Sequence, residues 1–140
     1  MTGTSSQDIY EKLRSMRLLV VDDSELVRSS LASWFASEGC AIETVATAEE
    51  GLRVLERRDC DIVIVDYRLP LMDGLELLER MPHAERRVVT ILITAYLDEQ
   101  VETRARELGV DAVLEKPMTT RSLEQTMARL LAEGPDEENR

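Results

Sequence analysis

Two runs in this chain, residues 62–65 and 88–93, are apolar at almost every position and built mostly from β-branched side chains. A strand with no polar face must be covered on both sides, as at the centre of a parallel sheet with helices above and below it. Between such runs the spacing of apolar residues becomes helical, and strands alternating with helices are the pattern of an α/β domain. Five strand–helix units can be counted. The first strand covers residues 17–21, and its helix carries Val27, Leu31, Trp34 and Phe35 on one side before Gly39 supplies a C-cap. The second strand, residues 41–46, is the least apolar; it leads into Thr47-Ala48-Glu49-Glu50, a capping box, and a helix through Leu52 and Leu55. After residues 62–65, Pro70 and the pair Asp73-Gly74 mark a loop over residues 67–74, followed by a helix with Leu75, Leu78 and Met81 that stops at Pro82. Residues 88–93 feed a helix N-capped by Asp98 that runs through Val101, Ala105 and Leu108 to Gly109. The fifth strand, residues 112–114, ends at Glu115-Lys116-Pro117. The last helix starts near Thr119 or Thr120 and buries Leu123, Met127, Leu130 and Leu131.

Outside this frame, Ile9, Leu13 and Met16 recur at i, i+4 and i+7, so residues 7–16 are expected to add a short helix against the domain. The polar, mostly acidic residues 134–140 are expected to be a disordered tail. The expected organisation is an extension over 1–16, one domain over 17–132 and a tail over 133–140. A domain of this size buries about two-thirds of its unfolded surface, enough for one core without disulfides or metals as staples. The formal net charge of −11 argues against nucleic acid or an anionic membrane as a partner, because both need a basic face that releases counterions. Cys40 and Cys60 lack metal-ligand spacing and fit buried or half-buried thiols in a reducing compartment. With no apolar stretch near ~18 residues and no leader pattern in residues 1–8, the cytoplasm is the expected location. His83 sits beside Pro82 in a polar stretch and is expected to be exposed and non-catalytic.

The chemistry is concentrated in three islands, Val21-Asp22-Asp23, Val65-Asp66 and Lys116-Pro117, each at the end of an apolar run. In a parallel sheet those carboxyl ends converge on one edge, where ligands and catalytic groups collect. Carboxylates crowded there repel by roughly 4 kcal/mol per pair at ~4 Å and an effective dielectric near 20. A hard divalent cation with oxygen ligands compensates, and magnesium would keep several waters and room for a phosphoryl oxygen.

Taken in order, the pair Asp22-Asp23, Asp66, the run Leu69-Pro70-Leu71-Met72-Asp73-Gly74, Thr94 and Lys116-Pro117 make the chain resemble the receiver domain of two-component response regulators over about residues 17–132. The resemblance implies a flavodoxin-like (CheY-like) doubly wound α/β fold, five parallel strands in the order 2-1-3-4-5 with five flanking helices. It also implies that Asp66 accepts a phosphoryl group from a sensor histidine kinase or a histidine phosphotransfer protein. A carboxylate is ionised at neutral pH and needs no general base, and phosphoryl transfer asks mainly for alignment and neutralised oxygens. By the same likeness Asp22, Asp23, Asp66 and the backbone carbonyl of Arg68 would hold Mg2+, with Mn2+ a workable substitute. Lys116 and Thr94 would meet the remaining phosphoryl oxygens, and the peptide before Pro117 would be cis.

The resemblance further implies a switch, in which Thr94 moves inward to the phosphoryl group and Tyr96 turns from exposed to buried. The altered surface is expected on the helix after the fourth strand, the fifth strand and the last helix, including Asp98, Glu99, Glu102, Arg106, Arg121 and Gln125. That face would meet a downstream protein or a second copy. Arg68 puts a cation at the pocket mouth, where it is expected to change the lifetime of the phosphorylated state, to be read from dephosphorylation of Arg68→Ala. Two enzyme readings fit worse: aspartyl phosphatases of the haloacid-dehalogenase kind need a second aspartate where Arg68 stands, and no G-x-x-x-x-G-K-[ST] loop occurs. A receiver-like scaffold that binds partners without phosphorylation is the alternative. No catalytic turnover beyond self-phosphorylation and self-dephosphorylation at Asp66 is expected.

Overall fold

The computed structural model describes residues 6–82 and 87–133. Its strands are β1 (Arg17–Val21), β2 (Ala41–Val45), β3 (Ile62–Asp66), β4 (Val89–Thr94) and β5 (Ala112–Glu115). The helices are α1 (Ser6–Leu13), α2 (Glu25–Ser37), α3 (Ala48–Arg57), α4 (Gly74–Arg80), α5 (Glu99–Glu107) and α6 (Thr120–Glu133). All strand pairings are parallel, in the order β2-β1-β3-β4-β5. This is the expected doubly wound sheet.

The period-two alternation of side chains divides the core in two. Ile62 and Ile64 of β3 point to the side covered by α1, α2 and α6, where Phe35, Leu123 and Met127 are buried. Val63 and Val65 point to the other side, under α3, α4 and α5, with Val54, Leu75 and Val101. β3 and β4 are buried at every position, whereas β2 and β5 are sheet edges and only partly covered. The weak apolar signal of β2 therefore reflects its edge place.

Several boundaries move. β3 and β4 extend through Asp66 and Thr94, because the parallel register continues to Asp66↔Ile93 and Thr94↔Glu115. α4 ends at Arg80 with Met81 as its C-cap; Leu77 is buried alongside Leu75, while Leu78, to which spacing pointed, packs half-buried on the same core. The reason is Gly51 of α3: its missing side chain leaves room for Leu77, whose Cδ1 lies 3.0 Å from where a Cβ would stand. Leu108 is not on the buried face of α5 but at its C-cap, 38% exposed. The N-caps at Thr47 and Asp98 form as expected, while the C-cap of α2 is Glu38, one residue before the expected Gly39, which takes a left-handed φ of +81°.

The amino-terminal helix is shorter than the spacing indicated, ending at Leu13, while Met16 packs on the core beyond it. Eight residues make a marginal helix in water, so packing must hold it. Ile9 and Leu13 are fully buried, Tyr10 meets Trp34 edge-on at 5.9 Å, and Arg14 Nε donates to the Glu38 carbonyl at 2.8 Å. Ile9→Val is expected to cost about 1 kcal/mol in urea unfolding, the usual loss for one buried methyl. No change would mean that α1 is undocked in solution. Cys40 and Cys60 are buried free thiols. Among the described residues no helix is long and apolar enough to cross a membrane. His83 and the expected tail over residues 134–140 lie outside the described residues.

Candidate functional site

The parallel sheet delivers its carboxyl ends to one rim. Asp66 closes β3, Asp22 and Asp23 follow β1, Thr94 closes β4 and Lys116 follows β5. One oxygen from each of Asp22, Asp23 and Asp66 lies within 4.8 Å of the others. Asp22 and Asp66 are buried and Asp23 is exposed, so the cluster opens to water on one side.

Each acid is held by its surroundings. Asp22 Oδ1 accepts from the Ser24 backbone at 2.8 Å, and Ser24 in turn N-caps α2 by accepting from Val27 N–H. The Arg28 guanidinium donates to the Asp22 carbonyl at 2.8 Å, fixing the turn from α2. Asp22 Oδ2 is buried without a hydrogen-bond donor and faces Lys116 Nζ at 3.5 Å. Lys116 Nζ donates to Asp66 Oδ2 at 3.0 Å, and the Arg68 backbone N–H donates to Asp66 Oδ1 at 3.3 Å. A buried carboxylate oxygen with no donor, beside two further carboxylates, is a hard-oxygen set that suits a divalent cation.

Burial pushes the Asp66 pKa up, and the charge of Asp22 adds to it against the opposing bonds from Lys116 and Arg68. Burial pulls the Lys116 ammonium down, but the hydrogen bond to Asp66 and the charges of Asp22 and Asp66 outweigh it, so its pKa is raised. The pair therefore favours the ammonium more than the carboxylate. The asymmetry follows from position: Lys116 faces two acids, while Asp66 is deeper and faces another acid.

The loop after β3 ends with a close approach. Gly74, at the start of α4, donates to the Tyr67 carbonyl at 2.8 Å, and a Cβ on it would stand 2.4 Å from the Asp66 carbonyl oxygen. The chain reaches this point through a γ-turn, in which Met72 N–H donates to Pro70 O at 2.7 Å and Leu71 has φ +72°. Leu71 is 96% exposed. On the opposite side, Thr94 is buried and its Oγ1 accepts from Tyr96 N–H at 3.1 Å, while its carbonyl accepts from Lys116 N–H at 2.8 Å. Tyr96 is 67% exposed, with the Arg68 guanidinium 5.3 Å from its ring centre. The Lys116–Pro117 peptide is cis. A cleft of ≈ 400 Å³, lined in part by Arg17, Ile42 and Cys60, opens at the opposite end of the strands, away from this cluster.

Asp22, Asp23, Asp66, Thr94 and Lys116 thus come to one rim. Sequence reading overlooked Arg28 and Ser24, which brace the acid turn, and the spatial demand on Gly74. Ser24 was legible as a capping residue before α2. Nothing in the spacing of Arg28 marks a bond to a carbonyl six residues earlier.

Comparison with known proteins identifies the family. The family model for the response regulator receiver domain matches residues 18–128, and the chain belongs to that family. The sensor histidine kinase RcsC of Salmonella typhi is 34% identical over 113 residues, 81% of this chain but 12% of its own length. A protein-glutamate methylesterase/protein-glutamine glutaminase of Rhodospirillum rubrum is 34% identical over 131 residues, 88% of this chain and 33% of its own. The chain therefore spans only a minor part of these relatives. A CheY-like response regulator receiver domain protein from Methanospirillum hungatei superposes with TM-score 0.80 at 31% identity, covering 87% of this chain and 98% of that one. The receiver domain of sensor histidine kinase PA1611 from Pseudomonas aeruginosa, with a magnesium ion coordinated in its active site cleft, gives TM-score 0.71 at 26% identity, covering 81% and 95%.

Proposed function

We propose that this chain is a phosphorylation-controlled receiver in which Asp66 takes a phosphoryl group from a phosphohistidine of a sensor histidine kinase or histidine phosphotransfer protein. The observation that carries the reading is the rim itself: a buried aspartate bonded to a lysine, beside two further carboxylates. A carboxylate oxygen of Asp66 attacks phosphorus, the phosphorus–nitrogen bond breaks, and the imidazole leaves with the electron pair and takes up a proton. The product is an aspartyl phosphate. Asp22, Asp23, Asp66 and the Arg68 carbonyl would hold Mg2+, which supplies neutralising charge and orientation for the phosphoryl oxygens. Lys116 passes from Asp66 Oδ2 to a phosphoryl oxygen, and the Thr94 hydroxyl donates to another.

Movement of Thr94 then turns Tyr96 inward and alters the face formed by α5, β5 and α6, through which a downstream protein or a second copy would read the signal in the cytoplasm. Residues 17–132 carry this activity, with α1 as an added brace. Incubation with acetyl phosphate and Mg2+ tests the reading: a phosphoryl-sized mass increase supports it, and none would favour a scaffold that works without phosphorylation.

Lys116→Met should bind Mg2+ about tenfold more tightly by calorimetry. The ammonium at 3.0 and 3.5 Å from two of the carboxylates opposes a cation there. Two unit charges exchange ~4 kcal/mol at ~4 Å with an effective dielectric near 20. Lys116 is 28% exposed, so solvent screening reduces that to a fraction. Unchanged or weaker binding would count against the acid cluster as the metal site.

A further inference from the structure

Arg68 and Tyr96 make a contact that the proposed transfer does not use. They occupy matching stations, Arg68 two residues beyond Asp66 and Tyr96 two beyond Thr94. The guanidinium carbon lies 5.3 Å from the ring centre, within the ~6 Å over which a cation is drawn to an aromatic face. Tyr96 is 67% exposed, so a large ring lies in water where burying it would bring a gain. Each backbone is also tied into the site, Arg68 N–H to Asp66 Oδ1 at 3.3 Å and Tyr96 N–H to Thr94 Oγ1 at 3.1 Å. A cleft of ≈ 200 Å³ beside the pair, walled in part by Tyr67, Val101 and Arg104, offers the ring space close by.

We propose that Arg68 is a positioning residue that clamps Tyr96 outward while Asp66 is unmodified, and that a phosphoryl group on Asp66 opens the clamp by drawing the guanidinium off the ring. The inference rests on the receiver reading above and adds a cause for the outward state. A phosphoryl group is a multiply charged acceptor that a planar guanidinium can meet with paired hydrogen bonds. The same group cannot lie over Tyr96 and make those bonds at once. Thr94 works in the same direction, because an oxygen drawn to the phosphoryl group takes Tyr96 N–H with it or releases it. The ring loses both holds in one event. An exposed cation–π contact shifts a conformational equilibrium by only about two- to five-fold, which is weak enough to be overridden.

NMR of the full chain with 13C-labelled tyrosine tests this, with the Tyr96 signal assigned through Tyr96→Phe and with Mg2+ and beryllofluoride as the phosphoryl mimic. The Arg68 side chain is exposed, so its variants keep the fold. Without the mimic, Arg68→Gln should move the Tyr96 ring signal part of the way to its mimic-bound position in the unaltered chain, an increase of about two- to five-fold in the inward population. Arg68→Lys, which keeps the charge but not the planar face, should fall between. Identical Tyr96 signals in the untreated chain and Arg68→Gln overturn the clamp; if the mimic still moves the ring, the receiver reading survives. If the mimic moves Tyr96 in neither protein, clamp and switch both fall.

Discussion

Asp66→Asn should take up no phosphoryl group from acetyl phosphate and Mg2+, whereas the unaltered chain should gain one under the same conditions, both to be read by intact mass. The amide has the same size but no anionic oxygen to attack phosphorus, and the neighbouring Lys116 and Asp22 remain in place to keep the geometry. A mass increase in the variant equal to that of the unaltered chain would put the acceptor elsewhere. The same substitution has a second readout. Burial raises the Asp66 pKa above its ordinary value, so the folded state tolerates the charged form poorly. A raised folded-state pKa contributes stability that is full below the ordinary carboxylate value and lost as pH rises through the raised one. In metal-free buffer at neutral pH, Asp66→Asn should therefore be at least as stable as the unaltered chain. The difference should shrink as the solution is acidified, because protonation gives native Asp66 the relief that asparagine has already.

Gly74→Val should cost about 3 kcal/mol or more, the upper end for forcing atoms into a packed interior. The ground is the 2.4 Å between the Cβ that this glycine lacks and the Asp66 carbonyl oxygen, with the Asp66 carbonyl carbon at 3.1 Å. Backbone atoms of a central strand cannot swing aside as a side-chain tip does. The expected result is a lower urea midpoint at unchanged slope, and slower phosphoryl uptake by molecules that remain folded, since Asp66 is pushed off its station. Gly51→Ala is the milder comparison: its new methyl meets side-chain ends of Leu77 and Val21 at 3.0 Å, which can give way. Equal midpoints for Gly74→Val and the unaltered chain would mean that α4 does not press against β3 in solution.

The two central strands were the most legible part of the sequence, because burial on both faces leaves no choice but an unbroken apolar run. Edge position weakened the apolar signal of β2 without hiding it, since its residues are half covered and carry Glu43 and Thr44 among them. The acids and Lys116 could be assigned to one rim because parallel strands all end on the same side, so no knowledge of distant contacts was needed. Contacts set by three-dimensional approach were not legible. Leu71 at φ +72° is an example, since leucine rarely adopts that conformation and only the closing of the γ-turn before Gly74 requires it. Arg28 and the Arg68–Tyr96 stack belong to the same class, being long side chains whose targets lie outside their own element.

The docking of α1 also gives the protein an internal optical gauge. Trp34, the sole tryptophan, has the Tyr10 ring 5.9 Å away and the Phe35 ring 4.6 Å away. Its emission therefore reports whether the amino-terminal helix is seated. The aromatic trio lies among the residues under α1, α2 and α6, whereas the acid rim is formed at the strand ends. On the proposed switch, loosening of the brace and occupation of the rim should be separable in one sample, tryptophan light reporting the first and the Tyr96 resonance the second.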